Sequence, residues 1–422
     1  MNSENASPKS VSLNSPPQRT LGLVSATALV VASMIGTGVF TTSGFALGDL
    51  KSPWIVLAAW VVGGVIASLG ALSYGALARR IPESGGEYIF LSRTLHPLAG
   101  NVAGWVSLLV GFSAPLALVA FGFGEYMKLW LPGWHPKLTG TLLVLLFTAV
   151  HALHVQRGAW IQNAAVILKV VLLAGFAGLA ALRLDPPASP PAPGFSLPVF
   201  AISLMWISFS YSGWNAAIYI GGEVRDPERT LPRALLLGTL LVTILYLGLN
   251  AVFVFSAPLE RLANKAEIGQ VAAEALGGPS WANMVTALVA LALVSSASSL
   301  IMAGPRIYAK MAADGYLPRW LIAKTGPPRL SICLQSLLAV SMLWSSTFQA
   351  LLTFVGFTLS LSTAATVLGL IRLRRREGKQ LPVPGWPWVP GLFLLGVTVI
   401  AVLAVLQTTL PALLSVLKKL FG

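Results

Sequence analysis

Ser33-Met34-Ile35-Gly36-Thr37-Gly38-Val39-Phe40 lies in the middle of the first long apolar stretch of the chain. A helix that crosses a bilayer is expected to run uninterrupted there. Two glycines and a threonine at that depth instead predict a helix that breaks. A break leaves backbone N–H and C=O groups unpaired where lipid cannot satisfy them, so protein, water or a ligand must.

The composition around this stretch agrees with a membrane setting. Of 422 residues, 55% are hydrophobic and 10% are charged, against about 25% charged in a soluble domain. The mean hydropathy is +0.77. Apolar segments at roughly 21–47, 52–79, 96–131, 139–156, 159–182, 196–222, 232–257, 279–312, 329–346, 348–371 and 388–417 predict an all-α polytopic protein of about eleven spans. Each is close to, or longer than, the ~20 residues needed to cross the hydrocarbon core. Residues 1–20 are polar and Ser/Asn/Pro-rich, without the apolar core of a cleavable signal. They read as a disordered cytoplasmic tail.

Charge sets the expected orientation. With the N-terminus in the cytoplasm, most of the 28 Lys and Arg residues fall in loops on that side. These include Arg79, Arg80, Arg225, Arg229 and the run Arg372-Leu373-Arg374-Arg375-Arg376. This is the positive-inside pattern. It accounts for the net charge of +14 without nucleic acid. The basic run could touch anionic lipid headgroups, although a topology anchor is the simpler reading. One cysteine, Cys333, excludes an internal disulfide and a Cys-rich metal site. His151 and His154, three apart at a span end, have no acidic partner nearby in sequence. No metal and no cofactor are expected.

A second interruption matches the first. Span six carries Phe209-Ser210-Tyr211-Ser212-Gly213-Trp214-Asn215 at its middle. Five spans separate the two, so they enter the membrane from opposite sides. Matched breaks in opposed halves point to an inverted repeat with a site at the midplane. The chain then divides into a first five-span unit (21–183), a Pro-rich external connector (184–195), a second five-span unit (196–371), and a basic loop with one further span (372–422). At each break one half-helix ends in carbonyls and the next begins with N–H groups. An α-amino acid zwitterion has complementary needs, a carboxylate for the amides of Gly36, Thr37 and Gly38 and an ammonium for carbonyls. The competing reading is that the glycines only allow close helix packing.

Three further features bear on chemistry. Lys169 stands near the centre of span five, about 15 Å from either end at ~1.5 Å per residue. A charge there costs at least ~2.5 kcal/mol on insertion scales. It is expected to face the protein interior, as a proton-coupling group, a resident cation or a hydrogen-bonding staple. Ser295, Ser296 and Ser299 in span eight are candidates to face Lys169 or the first break, or to bond back to their own helix. Gly304-Pro305 is expected to kink or end that helix. Pro232 is expected to open span seven, and Pro82-Glu83-Ser84-Gly85-Gly86-Glu87-Tyr88 to form a tight turn. Glu125, at the end of span three, is the one obvious acidic group near the spans.

Ile35-Gly36-Thr37-Gly38-Val39-Phe40 resembles the first-span signature of the amino acid–polyamine–organocation superfamily of permeases. Phe209 to Asn215, with Gly222-Glu223-Val224-Arg225-Asp226-Pro227-Glu228-Arg229-Thr230-Leu231-Pro232-Arg233-Ala234, resembles its sixth-span signature and following loop. Pro305-Arg306-Ile307-Tyr308-Ala309-Lys310-Met311-Ala312-Ala313-Asp314-Gly315-Tyr316-Leu317-Pro318 is similar to its stretch after span eight. The resemblance implies a leucine-transporter-type fold of two inverted five-helix repeats with discontinuous spans 1 and 6. It implies substrate at Ser33, Met34, Ile35, Gly36, Thr37, Gly38, Phe209, Ser210, Ser212 and Gly213, with Phe209 covering it on the outer side. It also implies that Lys169 stands where sodium-dependent relatives hold a sodium ion. Two departures are Ser212, where many relatives carry Asp or Gly, and eleven spans in place of the usual twelve.

The expectation is a secondary transporter of neutral amino acids in a cytoplasmic (inner) membrane, sodium-independent and driven by protons or exchange. Alternatives are a carrier of polyamines or cationic amines, and a non-transporting amino acid sensor. An enzyme is disfavoured because the spans show no His/Asp/Glu cluster or activated serine. A channel is disfavoured because no charged ring or repeated filter is present.

Overall fold

The computed structural model describes residues 19–153, 159–185, 194–322 and 327–421. Most of the N-terminal tail, most of the Pro-rich connector and His154 lie outside them. The described residues form helices α1 (Leu23–Met34), α2 (Gly38–Leu50), α3 (Pro53–Arg80), α4 (Glu87–Thr94), α5 (Pro97–Val106), α6 (Ala114–Met127), α7 (Pro136–Leu153) and α8 (Ala159–Ala181). They continue as α9 (Leu197–Ser210), α10 (Pro227–Phe255), α11 (Leu259–Leu262), α12 (Ile268–Ala313), α13 (Arg329–Ser345), α14 (Phe348–Glu377) and α15 (Trp388–Phe421). Among the described residues no strand forms beyond one isolated bridge, Leu21 to Val224.

Eight helical units are long and apolar enough to cross a membrane among the described residues, with shorter apolar helices at Val166–Ala181, Leu197–Ser210 and Arg329–Ser345. The chain is therefore an all-α polytopic membrane protein. Long helices carry exposed apolar side chains, such as Leu142, Leu145 and Leu146 on α7 and Ile244 on α10. In water such surface would be a liability; facing lipid it needs no covering.

Several elements start or stop differently from their sequence patterns. α10 begins at Pro227, not Pro232, which sits inside the helix. Pro227 takes the opening role because a proline near a helix start gives up an N–H that has no intrahelical partner. Pro232 Cα then lies against Gly75 of α3. In α12 the helix continues through Gly304-Pro305; its one non-helical residue is Gly278 at φ 73°. The Gly85-Gly86 turn takes φ of 137° and 61°, and it launches α4. A π-helical segment, Ser107–Ser113, joins α5 to α6.

The bridge defines one face of the molecule. Leu21 N donates to Glu223 O (3.0 Å) and Arg225 N to Leu21 O (2.8 Å). Arg79 at the end of α3 reaches Glu228 O at 3.3 Å, and Arg80 pairs with Glu377 of α14 at 2.9 Å. This side is called the N-terminal face below.

Candidate functional site

The first break spans Ile35 to Thr37, where α1 stops and α2 has not begun. Three of the carbonyls here have partners. Met34 O accepts from Gly36 N (2.8 Å) and from the Tyr246 hydroxyl (2.5 Å). Ile35 O accepts from Ser296 Oγ (2.8 Å) and Lys169 Nζ (3.4 Å). Thr37 O accepts from Phe40 N and Thr41 Oγ1. The amides of Thr37, Gly38 and Val39 find no acceptor among the described residues. Thr37 Oγ1 is buried without a partner as well. Three carbonyls of the break are thus held by protein and the Gly36 amide is spent on Met34 O, while the amides from Thr37 to Val39 that open α2 are left free, the arrangement that suits an anion at a helix N-terminus.

The second break follows Ser210, where α9 ends. Ser212 N turns back to Phe209 O at 2.8 Å, and Gly213 adopts φ 96°. A short 3-10 helix, Ala216–Glu223, carries the chain on to the N-terminal face. The two breaks touch. A Cβ on Gly213 would stand 2.7 Å from Ser33 O, and one on Gly38 would stand 2.7 Å from Ser210 Cα. Glycine is required at 213 twice over, for its conformation and for this approach. Tyr246 of α10 spans the junction, its hydroxyl shared between Met34 O and Ser210 O (3.1 Å).

A cavity of about 230 Å³ opens at the breaks. It is lined by Ser33, Met34, Gly36, Thr37, Gly38, Phe209, Ser210, Ser212 and Gly213, together with Ser296 and Ser299. Ile35 lies in the core behind it, fully buried. Lys169 and Ser295 are also behind the wall. Lys169 is buried and bonds to Ser295 Oγ (3.1 Å) and Ile35 O. Ser299 Oγ bonds back to Ser295 O. Lys169 therefore props the end of α1 from outside the cavity. Side chains from Phe112 of the π-helical segment, Pro115 of α6, Leu359 of α14 and Val397 of α15 complete an apolar wall.

The cavity wall also takes in Glu87, Asn215 and Tyr219, the last on the 3-10 segment that leads to the N-terminal face. On the opposite side α2 is locked down. Thr42 Oγ1 and Ser210 Oγ lie 3.1 Å apart, and Tyr126 donates to Phe40 O at 2.8 Å. Ser43 donates to Asn250 Oδ1 (2.6 Å), Trp60 Nε1 to Ser43 (2.8 Å) and Asn250 Nδ2 to Tyr246 O (2.8 Å).

Two residues here were not singled out from the sequence. Tyr246 and Asn250 are spaced i, i+4 on α10, which puts two polar groups on one face of an apolar helix, and that was the available signal. Glu125 is not the one acidic group near the spans, since Glu87 is another. Glu125 pairs with Lys128 at the end of α6, whereas Glu87 is buried in the cavity wall.

A membrane-embedded, all-helical chain whose two broken helices meet at an internal cavity has the make-up of a secondary transporter. The family model described as "Amino acid permease" matches residues 21–418, and the chain belongs to that family, within the amino acid–polyamine–organocation superfamily. It is similar to b(0,+)-type amino acid transporter 1 of Mus musculus, 28% identical over 396 residues, covering 90% of this chain and 81% of that one. It is similar to Asc-type amino acid transporter 1 of Mus musculus, 29% identical over 399 residues, covering 89% and 74%. It is also similar to large neutral amino acids transporter small subunit 2 of Rattus norvegicus, 30% identical over 391 residues, covering 87% and 72%. The chain is a transporter and not an enzyme.

Proposed function

We propose that this permease carries neutral α-amino acids by alternating access, without sodium, driven by protons or by exchange. The observation that carries the reading is the free donor set at Thr37, Gly38 and Val39 beside an apolar cavity. The substrate carboxylate takes those amides and Thr37 Oγ1. The ammonium takes carbonyl lone pairs at Ser33, Phe209 and Ser210, since a carbonyl oxygen has two and a singly bonded one keeps one; Met34 O, already accepting from Gly36 N and the Tyr246 hydroxyl, lines the site beside them. Phe209 covers the substrate, and Ile35 and Ser212 shape the wall behind and beside it. The name of the large neutral amino acids transporter relative supports the neutral class.

Sodium independence rests on Lys169. Its ammonium sits among Ile35 O and Ser295 Oγ, with Ser296 Oγ on the same carbonyl. Such oxygens would otherwise suit a hard cation. The two halves, 21–183 and 196–371, are the inverted repeats that rock about the breaks. The membrane is the bacterial inner membrane with the N-terminus in the cytoplasm, as the basic loops indicate. The closed α2 side then faces outward and the cavity faces in.

The second reading, a carrier of cationic amines, draws on Glu87 in the cavity wall. Its oxygens are already taken by Tyr74, Tyr219 and Asn215, which favours the neutral class. Uptake of radiolabelled neutral amino acids, lysine and diamines into proteoliposomes, loaded or not with internal amino acid, decides between them. Uptake of a neutral amino acid, undiminished by excess diamine, is expected; no uptake or exchange of any amino acid overturns the proposal.

A further inference from the structure

Glu87 is a buried carboxylate that substrate binding leaves unused. It stands at the start of α4, delivered into the core by the Gly85-Gly86 turn. Tyr74 of α3 donates to its Oε1 at 3.3 Å, Asn215 donates to the same oxygen, and Tyr219 donates to Oε2 at 2.6 Å. No Lys or Arg bonds or pairs with it among the described residues.

The elements around it bring no counter-charge among the described side chains. α5 offers no titratable side chain in Pro97–Val106. From α12, Tyr308 stands behind Tyr219. From α14, Thr366 lies against Tyr74, and the charged residues Arg372 to Glu377 lie at its C-terminal end, where Glu377 takes Arg80. On α4 itself, Tyr88 turns to Asp314 (2.9 Å) and Arg93 to Glu83 (3.1 Å). Among the described side chains, the carboxylate is thus met by neutral donors alone. A buried anion in that position depends on keeping its donors.

We propose that Glu87 is a proton-binding site of the transport cycle; this rests on the transport reading above. Two of its three donors, Asn215 and Tyr219, ride on the segment that follows the second break. When that segment moves, the carboxylate loses donors and takes up a proton on one oxygen; when the segment returns and restores them, the proton leaves to water. The Tyr219 hydroxyl can reverse from donor to acceptor, so a proton on Oε2 keeps its hydrogen bond. The step balances as one proton in from water and one proton out to water, with no other bond made or broken.

The test has two arms on the full-length protein in lipid. In difference infrared spectra across a pH titration, the wild type shows the carbonyl stretch of a protonated carboxylic acid. Glu87→Gln loses this band, Glu87→Asp shifts it, and Tyr219→Phe moves its midpoint. In proteoliposomes containing a trapped pH dye, amino acid uptake by the wild type acidifies the lumen, and Glu87→Gln loses that proton movement. An infrared band that survives Glu87→Gln overturns the assignment, as does wild-type uptake without proton movement. The infrared arm needs no substrate, so its failure is read separately from failure of the transport proposal. Retention of the native elution profile by each variant shows that a lost signal is not lost folding.

Discussion

Gly213 and Gly38 are where single atoms decide the architecture. Adding one methyl group at 213 meets the Ser33 carbonyl at 2.7 Å and strains a φ of 96°. Gly213→Ala is expected to abolish uptake in proteoliposomes. Tyr246 is a milder case. Removing its hydroxyl leaves Met34 O with its Gly36 amide bond but takes a donor from Ser210 O. A hydrogen bond is worth a net 0.5–1.5 kcal/mol or so, and about 1.4 kcal/mol is tenfold. Tyr246→Phe should therefore weaken substrate affinity by about two- to tenfold, read as a rise in KM. Lys169→Ala deprives Ile35 O and Ser295 Oγ of their cation and is expected to stop transport. Unchanged uptake with an unchanged pH profile would leave Lys169 a structural staple.

Among the elements, α2 shows why one helix of the pair can close while its partner leaves space. It is fastened to α9, α3, α6 and α10 through Thr42, Ser43 and the Phe40 carbonyl. Asn250 is the hub, fully buried and bonded at both ends of its amide. Asn250→Ala leaves the Ser43 hydroxyl without its acceptor in apolar surroundings. A buried group left unsatisfied costs about 1–3 kcal/mol, so a lower thermal unfolding temperature in detergent is expected. The breaks in α1/α2 and α9 were legible in the sequence because glycines and hydroxyls at mid-span contradict the lipid environment locally. Tyr246 and Glu87 were not, because their meaning is non-local. Tyr246 meets Met34 across 212 positions. Glu87 looks like a solvated loop residue until the double-glycine turn folds it inward. Pro232 misled because a proline inside a membrane helix is tolerated where neighbouring groups supply what it takes from its own helix, and Pro227 opens α10 instead.

For the whole molecule, most of the class was readable from hydropathy, because lipid imposes the same demand on every span. The cavity was not, since it is walled by parts of α3, α6, α9, α14 and α15 brought together only by folding. Replacing sodium by choline on both sides is expected to leave initial uptake unchanged. Stimulation by sodium would show that Lys169 does not fill the cation place. The exposed Arg80–Glu377 pair is expected to matter little. Glu377→Gln should leave the unfolding temperature in the same thermal assay nearly unchanged, since exposed ion pairs are screened.

The bridge from Leu21 to Val224 has a kinetic consequence. It yokes the entry of α1 to the exit of the 3-10 segment through two backbone hydrogen bonds, so the two half-spans share one degree of freedom. Under alternating access, a carrier with two independent flaps would pass through a half-open state in which solutes leak past the substrate, and a yoked pair is expected to pass through it less often.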